Sequence, residues 1–213
     1  DVAPSRGLGD VYKRQNLLSS KINQNLRKNN VFVNKAQIGL DVKITPGVKI
    51  SDNSIILGNT IIEGNTYIID SLIEDSKIIS SIIGPYAHLK HSIIEESTIG
   101  NFVEVKNSEI KKQVKAKHLS YIGNALIEDG VNIGAGVIFS NFDGKIKSRS
   151  KVGSYSFIGS NSTIIAPITI GSNCYIGAGS EVTSSLNDNT FYLRRGNETV
   201  SYTHLTLPTK LEV

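Results

Sequence analysis

Aliphatic residues recur at every sixth position over long parts of this chain. The clearest run consists of Val152, Ile158, Ile164, Ile170, Ile176 and Val182. The same spacing appears at Ile38, Ile44 and Ile50, and again at Ile127 and Ile133. A period of six fits neither an amphipathic helix nor an alternating strand, so the pattern indicates an internal repeat.

Each hexapeptide is interpreted as one short strand followed by a corner. The residue after the aliphatic anchor is often glycine, and the fourth residue after it is usually small. Three such strands make one triangular coil of about eighteen residues, and the coils stack about 4.8 Å apart. The sequence therefore predicts an all-β parallel β-helix, although the period does not give its hand. Cys174 occupies a small position and is predicted to be a core spacer rather than a nucleophile.

The pattern divides the chain into four predicted segments. Residues 30–196 form the β-helix domain, and residues 16–29 form a short N-terminal helix that caps or links it, since Leu17, Leu18, Ile22 and Leu26 have helical spacing. Residues 1–15 and most of the tail 197–213 resemble translated sequencing-library adapter. They are interpreted as non-native, which removes His204 from the candidate residues. Breaks in the period at 106–118 and 139–152 are predicted to be projecting loops.

Composition and charge argue against several classes of protein. The net charge is +4, and the 23 lysines and arginines are dispersed rather than gathered in the basic stripe of a nucleic-acid binder. No run approaches the roughly 20 apolar residues of a membrane span. A single cysteine excludes an internal disulfide and cannot by itself build a zinc site. We expect a cytoplasmic protein with no nucleic-acid partner, no membrane span and no metal.

Five stretches follow one another in an order and spacing that identify a family. They are IGPYAHLK (83–90), NFVEVKNS (101–108), KAKHLSYIGNALIEDGVNIGAG (115–136), SNFDGKIK (140–147) and FIGSNSTIIAPITIG (157–171). Together they resemble the acetyltransferase domain of the bacterial bifunctional UDP-N-acetylglucosamine pyrophosphorylase and glucosamine-1-phosphate N-acetyltransferase, over about residues 15–196.

The resemblance implies a fold, a reaction and an assembly. It implies a left-handed β-helix that forms a homotrimer. It also implies acetyl transfer from acetyl-CoA to the amine of glucosamine 1-phosphate, a sugar phosphate used in UDP-N-acetylglucosamine and cell-wall synthesis. The uridylyltransferase domain of that family, with its magnesium, is expected to be absent from this sequence.

Acetyl transfer to an amine requires a base for the ammonium proton, donors for the oxyanion and cations for a sugar phosphate. Imidazole titrates near neutral pH, and His118 in KHLSYIG is the leading base. The resemblance implies that Glu104 orients it. It further implies sugar-phosphate contacts at Lys90, Lys106, Tyr121, Asn132 and Lys147, and acetyl-CoA contacts at Ala135, Asn141, Phe142, Ser160, Ala178 and Arg195.

Three residues depart from the family pattern. Lys90 stands in place of an arginine, Phe142 in place of a tyrosine, and Arg149 in place of a lysine. Lysine meets phosphate as a point charge rather than as a bidentate fork.

Three alternative functions remain open. The first is a hexapeptide acyltransferase for another amino sugar, and the second is a non-catalytic structural β-helix. The third is a γ-type carbonic anhydrase, which is disfavoured because His88 and His91 would point to opposite faces of an extended strand.

Overall fold

The computed structural model describes residues 8–195 and 198–202, with side chains described for 17–194 and 199–201. The chain folds as the left-handed parallel β-helix that the resemblance implies, preceded by one helix. Its strands lie in three sheets, and each circuit of the chain as far as Ile176 adds one strand to every sheet. His204, which falls in the adapter-like end, lies outside the described residues.

The three faces of the prism are named here sheets I, II and III. Sheet I contains β1 (Gln37–Ile38), β4 (Ile55–Leu57), β7 (Leu72–Glu74), β10 (His88–Lys90), β13 (Glu104–Lys106), β16 (Tyr121–Gly123), β19 (Ile138–Ser140), β22 (Thr163–Ile165) and β25 (Glu181–Val182). Sheet II contains β2 (Lys43–Ile44), β5 (Ile61–Glu63), β8 (Lys77–Ile79), β11 (Ile93–Glu95), β14 (Glu109–Ile110), β17 (Ala125–Ile127), β20 (Ser150–Val152) and β23 (Ile168–Ile170). Sheet III contains β3 (Lys49–Ile50), β6 (Tyr67–Ile68), β9 (Ile82–Ile83), β12 (Thr98–Asn101), β15 (Lys115–His118), β18 (Asn132–Ile133), β21 (Phe157–Ile158), β24 (Tyr175–Ile176), β26 (Phe191–Arg195) and the antiparallel β27 (Glu198–Tyr202).

The anchors form a continuous core, but their spacing is not always six. Ile68, Ile73, Ile78 and Ile83 are fully buried and lie five residues apart. A five-residue step is possible because the corner needs only one residue with positive φ, such as Asp75 (φ 45), followed by a buried serine. The middle coils are therefore shorter than the predicted eighteen residues.

The prediction of a projecting loop at 106–118 is wrong. This segment contains β14 and the whole of β15, and Ile110, Val114 and Ala116 are fully buried. The five-residue step from Val105 to Ile110, and an alanine serving as an anchor, hide the repeat from a search for aliphatic residues at intervals of six. The second predicted loop is present between β19 and β20.

The N-terminal helix α1 runs from Leu8 to Lys28, so it begins eight residues before the predicted start at 16. Ile22 and Leu26 pack against the core of the β-helix. Asn23 is 1% exposed, and its amide donates hydrogen bonds to the carbonyl oxygens of Asn34 (3.1 Å) and Ala36 (3.0 Å). The helix thus covers the first coil. The part of the chain that the structure describes contains no helix with the length and hydrophobicity of a membrane span.

Candidate active site

Four of the predicted site residues lie in one line along the corner between sheets III and I. His118 ends β15, and Ala135, Ser160 and Ala178 take the same place in the next three coils. Backbone hydrogen bonds fix this stacking: Gly136 donates to His118 O (3.4 Å), Asn161 to Ala135 O (2.8 Å) and Gly179 to Ser160 O (2.8 Å). We name these four residues the His118 column.

Glycines beside this column allow its coils to approach closely. A Cβ added to Gly134 would lie 2.5 Å from the backbone nitrogen of Ser160, and one added to Gly159 would lie 2.5 Å from that of Ala178. Ser160 and Ala178 are themselves exposed. The column therefore presents small side chains and backbone to solvent, a surface on which an extended ligand can lie close to the main chain.

His118 is exposed, and its ring makes no hydrogen bond or ion pair among the described residues. The corner that carries it is well fixed. Leu119 has φ 49, and the Ser120 hydroxyl lies 2.9 Å from His118 O and 3.1 Å from Gly134 O. The backbone of His118 is thus fixed, while the ring nitrogens remain available to a ligand.

Glu104 lies on the outer face of sheet I, in register with His88 and Tyr121 on either side. No hydrogen bond joins its carboxylate to His118 among the described residues. The orienting role of Glu104 therefore stays a prediction.

Two predicted phosphate contacts are neighbours on sheet I. Lys90 is in register with Lys106, one coil further along. Lys90 Nζ lies 3.3 Å from Glu74 Oε1, and Glu74 Oε2 lies 2.9 Å from His88 Nε2. The hydrogen bond with His88, and then the contact with Lys90, hold the pKa of Glu74 below its ordinary value of 4.5. The sequence did not single out Glu74, because its proximity to Lys90 depends on a coil length of sixteen residues there.

Tyr121 and Asn141 meet above a glycine. A Cβ on Gly123 would lie 2.5 Å from the Tyr121 hydroxyl and 2.7 Å from Asn141 Nδ2. Asn141 is 7% exposed, and its Nδ2 donates to Asn124 Oδ1 at 2.8 Å. Tyr121 therefore leans across sheet I, away from the His118 column and towards the corner with sheet II.

The projecting loop 141–149 leaves from that opposite corner. Phe142 and Lys147 form an antiparallel bridge, and Asp143 Oδ1 accepts hydrogen bonds from the backbone nitrogens of Lys145 (2.8 Å) and Ile146 (2.7 Å). These bonds hold the pKa of Asp143 below its ordinary value. Phe142 is 54% exposed. Within one chain, Phe142 and Lys147 are therefore not brought to the His118 column.

The base of the loop is fixed by an ion pair. Arg149 Nη2 lies 2.8 Å from Glu109 Oε1 on sheet II, and this contact lowers the pKa of Glu109.

The two remaining predicted residues lie on sheet III. Asn132 is in register with Lys115 and Phe157, on the outer face that continues into stacked Phe157 and Tyr175 rings 4.8 Å apart. Arg195 ends β26, and its side chain lies outside the described part of the chain.

The prediction that His88 and His91 lie on opposite faces of one extended strand is wrong. His91 does not continue the strand of His88, because β10 ends at Lys90 and His91 has φ 49 at the corner. Each histidine instead meets its own carboxylate, His88 at Glu74 (2.9 Å) and His91 at Asp75 (3.8 Å). Among the described residues, no three His, Cys, Asp or Glu side chains come together as a metal site.

The predicted spacer role of Cys174 is confirmed. The residue is 2% exposed, and its Sγ lies 3.1 Å from Asn187 O. Burial raises the pKa of its thiol.

Comparison with known proteins agrees with this architecture. Residues 149–184 match the family model described as bacterial transferase hexapeptide (six repeats). The bifunctional protein GlmU of Caldicellulosiruptor saccharolyticus is 48% identical over 178 residues, which are 77% of this chain and 38% of that protein. GlmU of Lactococcus lactis subsp. cremoris is 48% identical over 132 residues, covering 61% of this chain and 29% of that protein.

Among solved structures, LpxA from Acinetobacter baumannii is similar with a TM-score of 0.48 and 14% identity, covering 80% of this chain and 73% of that one. The chain spans less than two fifths of the length of the GlmU proteins above. It is a hexapeptide-repeat protein related to the bifunctional GlmU proteins, as the resemblance in its sequence predicts.

Proposed function

We propose that this chain transfers the acetyl group of acetyl-CoA to the amine of glucosamine 1-phosphate, giving N-acetylglucosamine 1-phosphate, with His118 as the general base. The observation that carries the proposal is the His118 column. A candidate base stands at one end of it, and three small residues predicted to contact acetyl-CoA continue it through three coils. At about 4.8 Å for each coil, the column extends about 14 Å, which suits the extended arm of a thioester cofactor.

The chemistry at this column follows from protonation. At neutral pH the acceptor amine is mostly an ammonium ion and cannot attack a thioester. His118 takes one proton, and the amine nitrogen then bonds to the thioester carbonyl carbon. The nitrogen then gives up a second proton, the carbon–sulfur bond breaks, and coenzyme A leaves with the electron pair and takes up that proton. A positioned base of this kind typically contributes 10²- to 10⁴-fold to the rate.

Lys90 and Lys106 are the proposed phosphate contacts. They are neighbours in register on sheet I, and a phosphate dianion can meet both ammonium groups. The half of sheet I nearer the His118 column carries Glu104 and Tyr121, one coil apart. Tyr121 on sheet I and Asn132 on the adjoining sheet III are the proposed contacts to the sugar hydroxyls.

We further propose that the site is completed between copies of the chain in a homotrimer. Phe142 and Lys147 are carried by a loop on the opposite corner of the prism from His118. A single rigid β-helix cannot bring two of its corners to one small ligand. In a cyclic trimer, the loop of one copy reaches the His118 column of the next. Light scattering on an active sample tests this, and a fully active monomer would exclude it.

The test of the base is a comparison of two histidine variants by thiol release from acetyl-CoA with glucosamine 1-phosphate. His118→Ala is expected to lower kcat by about 10²- to 10⁴-fold, with its thermal melt unchanged, because an exposed imidazole makes few core contacts. His91→Ala is the matched control, since His91 is also exposed at a corner but lies beside sheet II. Retention of more than about a tenth of the wild-type kcat in His118→Ala would exclude His118 as the base.

A further inference from the structure

Glu74 contacts the side chain of Lys90, which is one of the two proposed phosphate contacts. The residue ends β7, in register with Lys90 on β10. One of its carboxylate oxygens lies 3.3 Å from Lys90 Nζ, and the other lies 2.9 Å from His88 Nε2. Both oxygens therefore have a partner, and Glu74, whose pKa lies below the ordinary 4.5, is a carboxylate at neutral pH.

The neighbouring lysine differs from Lys90 in this respect. Lys106 takes part in no ion pair among the described side chains, although it is in register with Lys90. Along this row of sheet I, the order of charges is negative at Glu74, then positive at Lys90 and at Lys106. A phosphate that contacts both lysines must compete with the Glu74 carboxylate for the ammonium of Lys90.

We propose that Glu74 is a positioning residue that sets the affinity for the acceptor's phosphate, because its carboxylate occupies the Lys90 ammonium until the phosphate displaces it. The inference rests on the proposed function, in which Lys90 contacts that phosphate. In the free protein the Glu74 carboxylate pairs with the Lys90 ammonium, and its negative charge repels the incoming phosphate dianion. Glu74 does not touch the reacting amine, so the effect falls on KM for the sugar phosphate and leaves kcat unchanged.

The expected size follows from two modest effects. An exposed ion pair contributes between nothing and about 1 kcal/mol, equivalent to at most about fivefold in binding. A unit charge within about 10 Å of a dianion, at a hydrated and screened surface, adds a further change of less than about fivefold. Glu74→Gln keeps the size of the side chain and its capacity to bond His88, but it removes the charge. We expect it to lower KM for glucosamine 1-phosphate by about two- to fivefold.

The experiment measures KM and kcat for both substrates in four proteins: wild type, Glu74→Gln, Glu74→Asp and Glu63→Gln. Glu63 is the matched control, because its carboxylate lies 3.3 Å from Lys77 Nζ on sheet II, away from the proposed site. Glu74→Asp retains the charge. Only Glu74→Gln should lower KM for the sugar phosphate, with KM for acetyl-CoA unchanged. Inorganic phosphate, tested as a competitive inhibitor, should bind more tightly by the same factor.

Three results would overturn the inference. An unchanged or increased KM for the sugar phosphate in Glu74→Gln would show that its charge does not oppose phosphate. An equal decrease in Glu63→Gln would attribute the effect to net charge. A decrease in Glu74→Asp as large as that in Glu74→Gln would show that the negative charge is not the cause. If the wild-type chain releases no thiol, the proposed function fails and the role of Glu74 with it, whereas an active wild type with an unaffected Glu74→Gln refutes Glu74 alone.

Discussion

The buried serine at a narrow corner should stabilise coil stacking, and Ser92 allows this to be tested. Its hydroxyl lies 2.8 Å from Lys90 O and accepts the backbone N–H of Ser108 at 3.2 Å. The residue is 2% exposed. Ser92→Ala therefore leaves the N–H of Ser108 without its partner in a place that water does not reach.

The magnitude follows from that lost partner. A buried donor left unpaired costs about 1–3 kcal/mol. For a chain of this size, such a change lowers the melting temperature by about 2–4 °C per kcal/mol. Alanine already occupies the next-but-one position of this row, at Ala125. In the coil that follows Ala125, the backbone N–H of Ser150 has a different acceptor, the carbonyl oxygen of Asn124, at 3.0 Å. The N–H of Ser108, by contrast, donates to the Ser92 hydroxyl.

The assay is denaturant unfolding followed by circular dichroism, with Ser185→Ala as the control. Ser185 also accepts the backbone N–H of a neighbouring coil, that of Thr169 at 3.0 Å, but it is exposed. Water can replace its hydroxyl, so this variant should lose less than about 0.5 kcal/mol. A free energy of unfolding for Ser92→Ala within 0.5 kcal/mol of that for Ser185→Ala, roughly the spread of surface substitutions, would refute the reasoning.

Three further predictions concern single side chains. Lys90→Ala should raise KM for glucosamine 1-phosphate and leave KM for acetyl-CoA nearly unchanged, while Lys90→Arg is tolerated; an unchanged sugar-phosphate KM would remove Lys90 from the site. Because Arg149 lowers the pKa of Glu109, their pair stabilises the fold above the ordinary glutamate pKa of 4.5, and this contribution is lost as pH falls through the lowered value. Unfolding of Glu109→Gln should therefore differ from wild type at pH 7 and converge with it in acid; a constant difference would contradict this. Cys174, the only cysteine, is buried with a raised pKa, so Ellman's reagent should modify the native chain far more slowly than the denatured one; equal rates would show that the core is open.

The sequence predicts the architecture well because the six-residue period is a direct record of the strand and corner geometry. It fails where that geometry changes. The short corners after Ile68 use a residue with positive φ and a serine, so the anchors move to intervals of five. The same shift makes 106–118 resemble a loop. A search for one period cannot follow a coil whose length varies.

Part of the candidate site could likewise be predicted from the sequence, and part could not. The motif around His118 predicts a candidate base, and the structure places Ala135, Ser160 and Ala178 in line with it. The Glu74 contact depends on the sixteen-residue coil between Glu74 and Lys90, which the sequence did not reveal. The separation of the loop 141–149 from the column is a property of the closed prism, since it depends on which corner each segment occupies.

The central claim is acetyl transfer to a phosphorylated amino sugar, and acceptor selectivity tests it most directly. Thiol release from acetyl-CoA should be measured for the wild-type chain with glucosamine 1-phosphate and with free glucosamine. Two charge-assisted contacts to phosphate, at Lys90 and Lys106, should make kcat/KM for glucosamine 1-phosphate greater by about 100-fold or more. Equal values for the two acceptors, or no thiol release with either, would contradict the account.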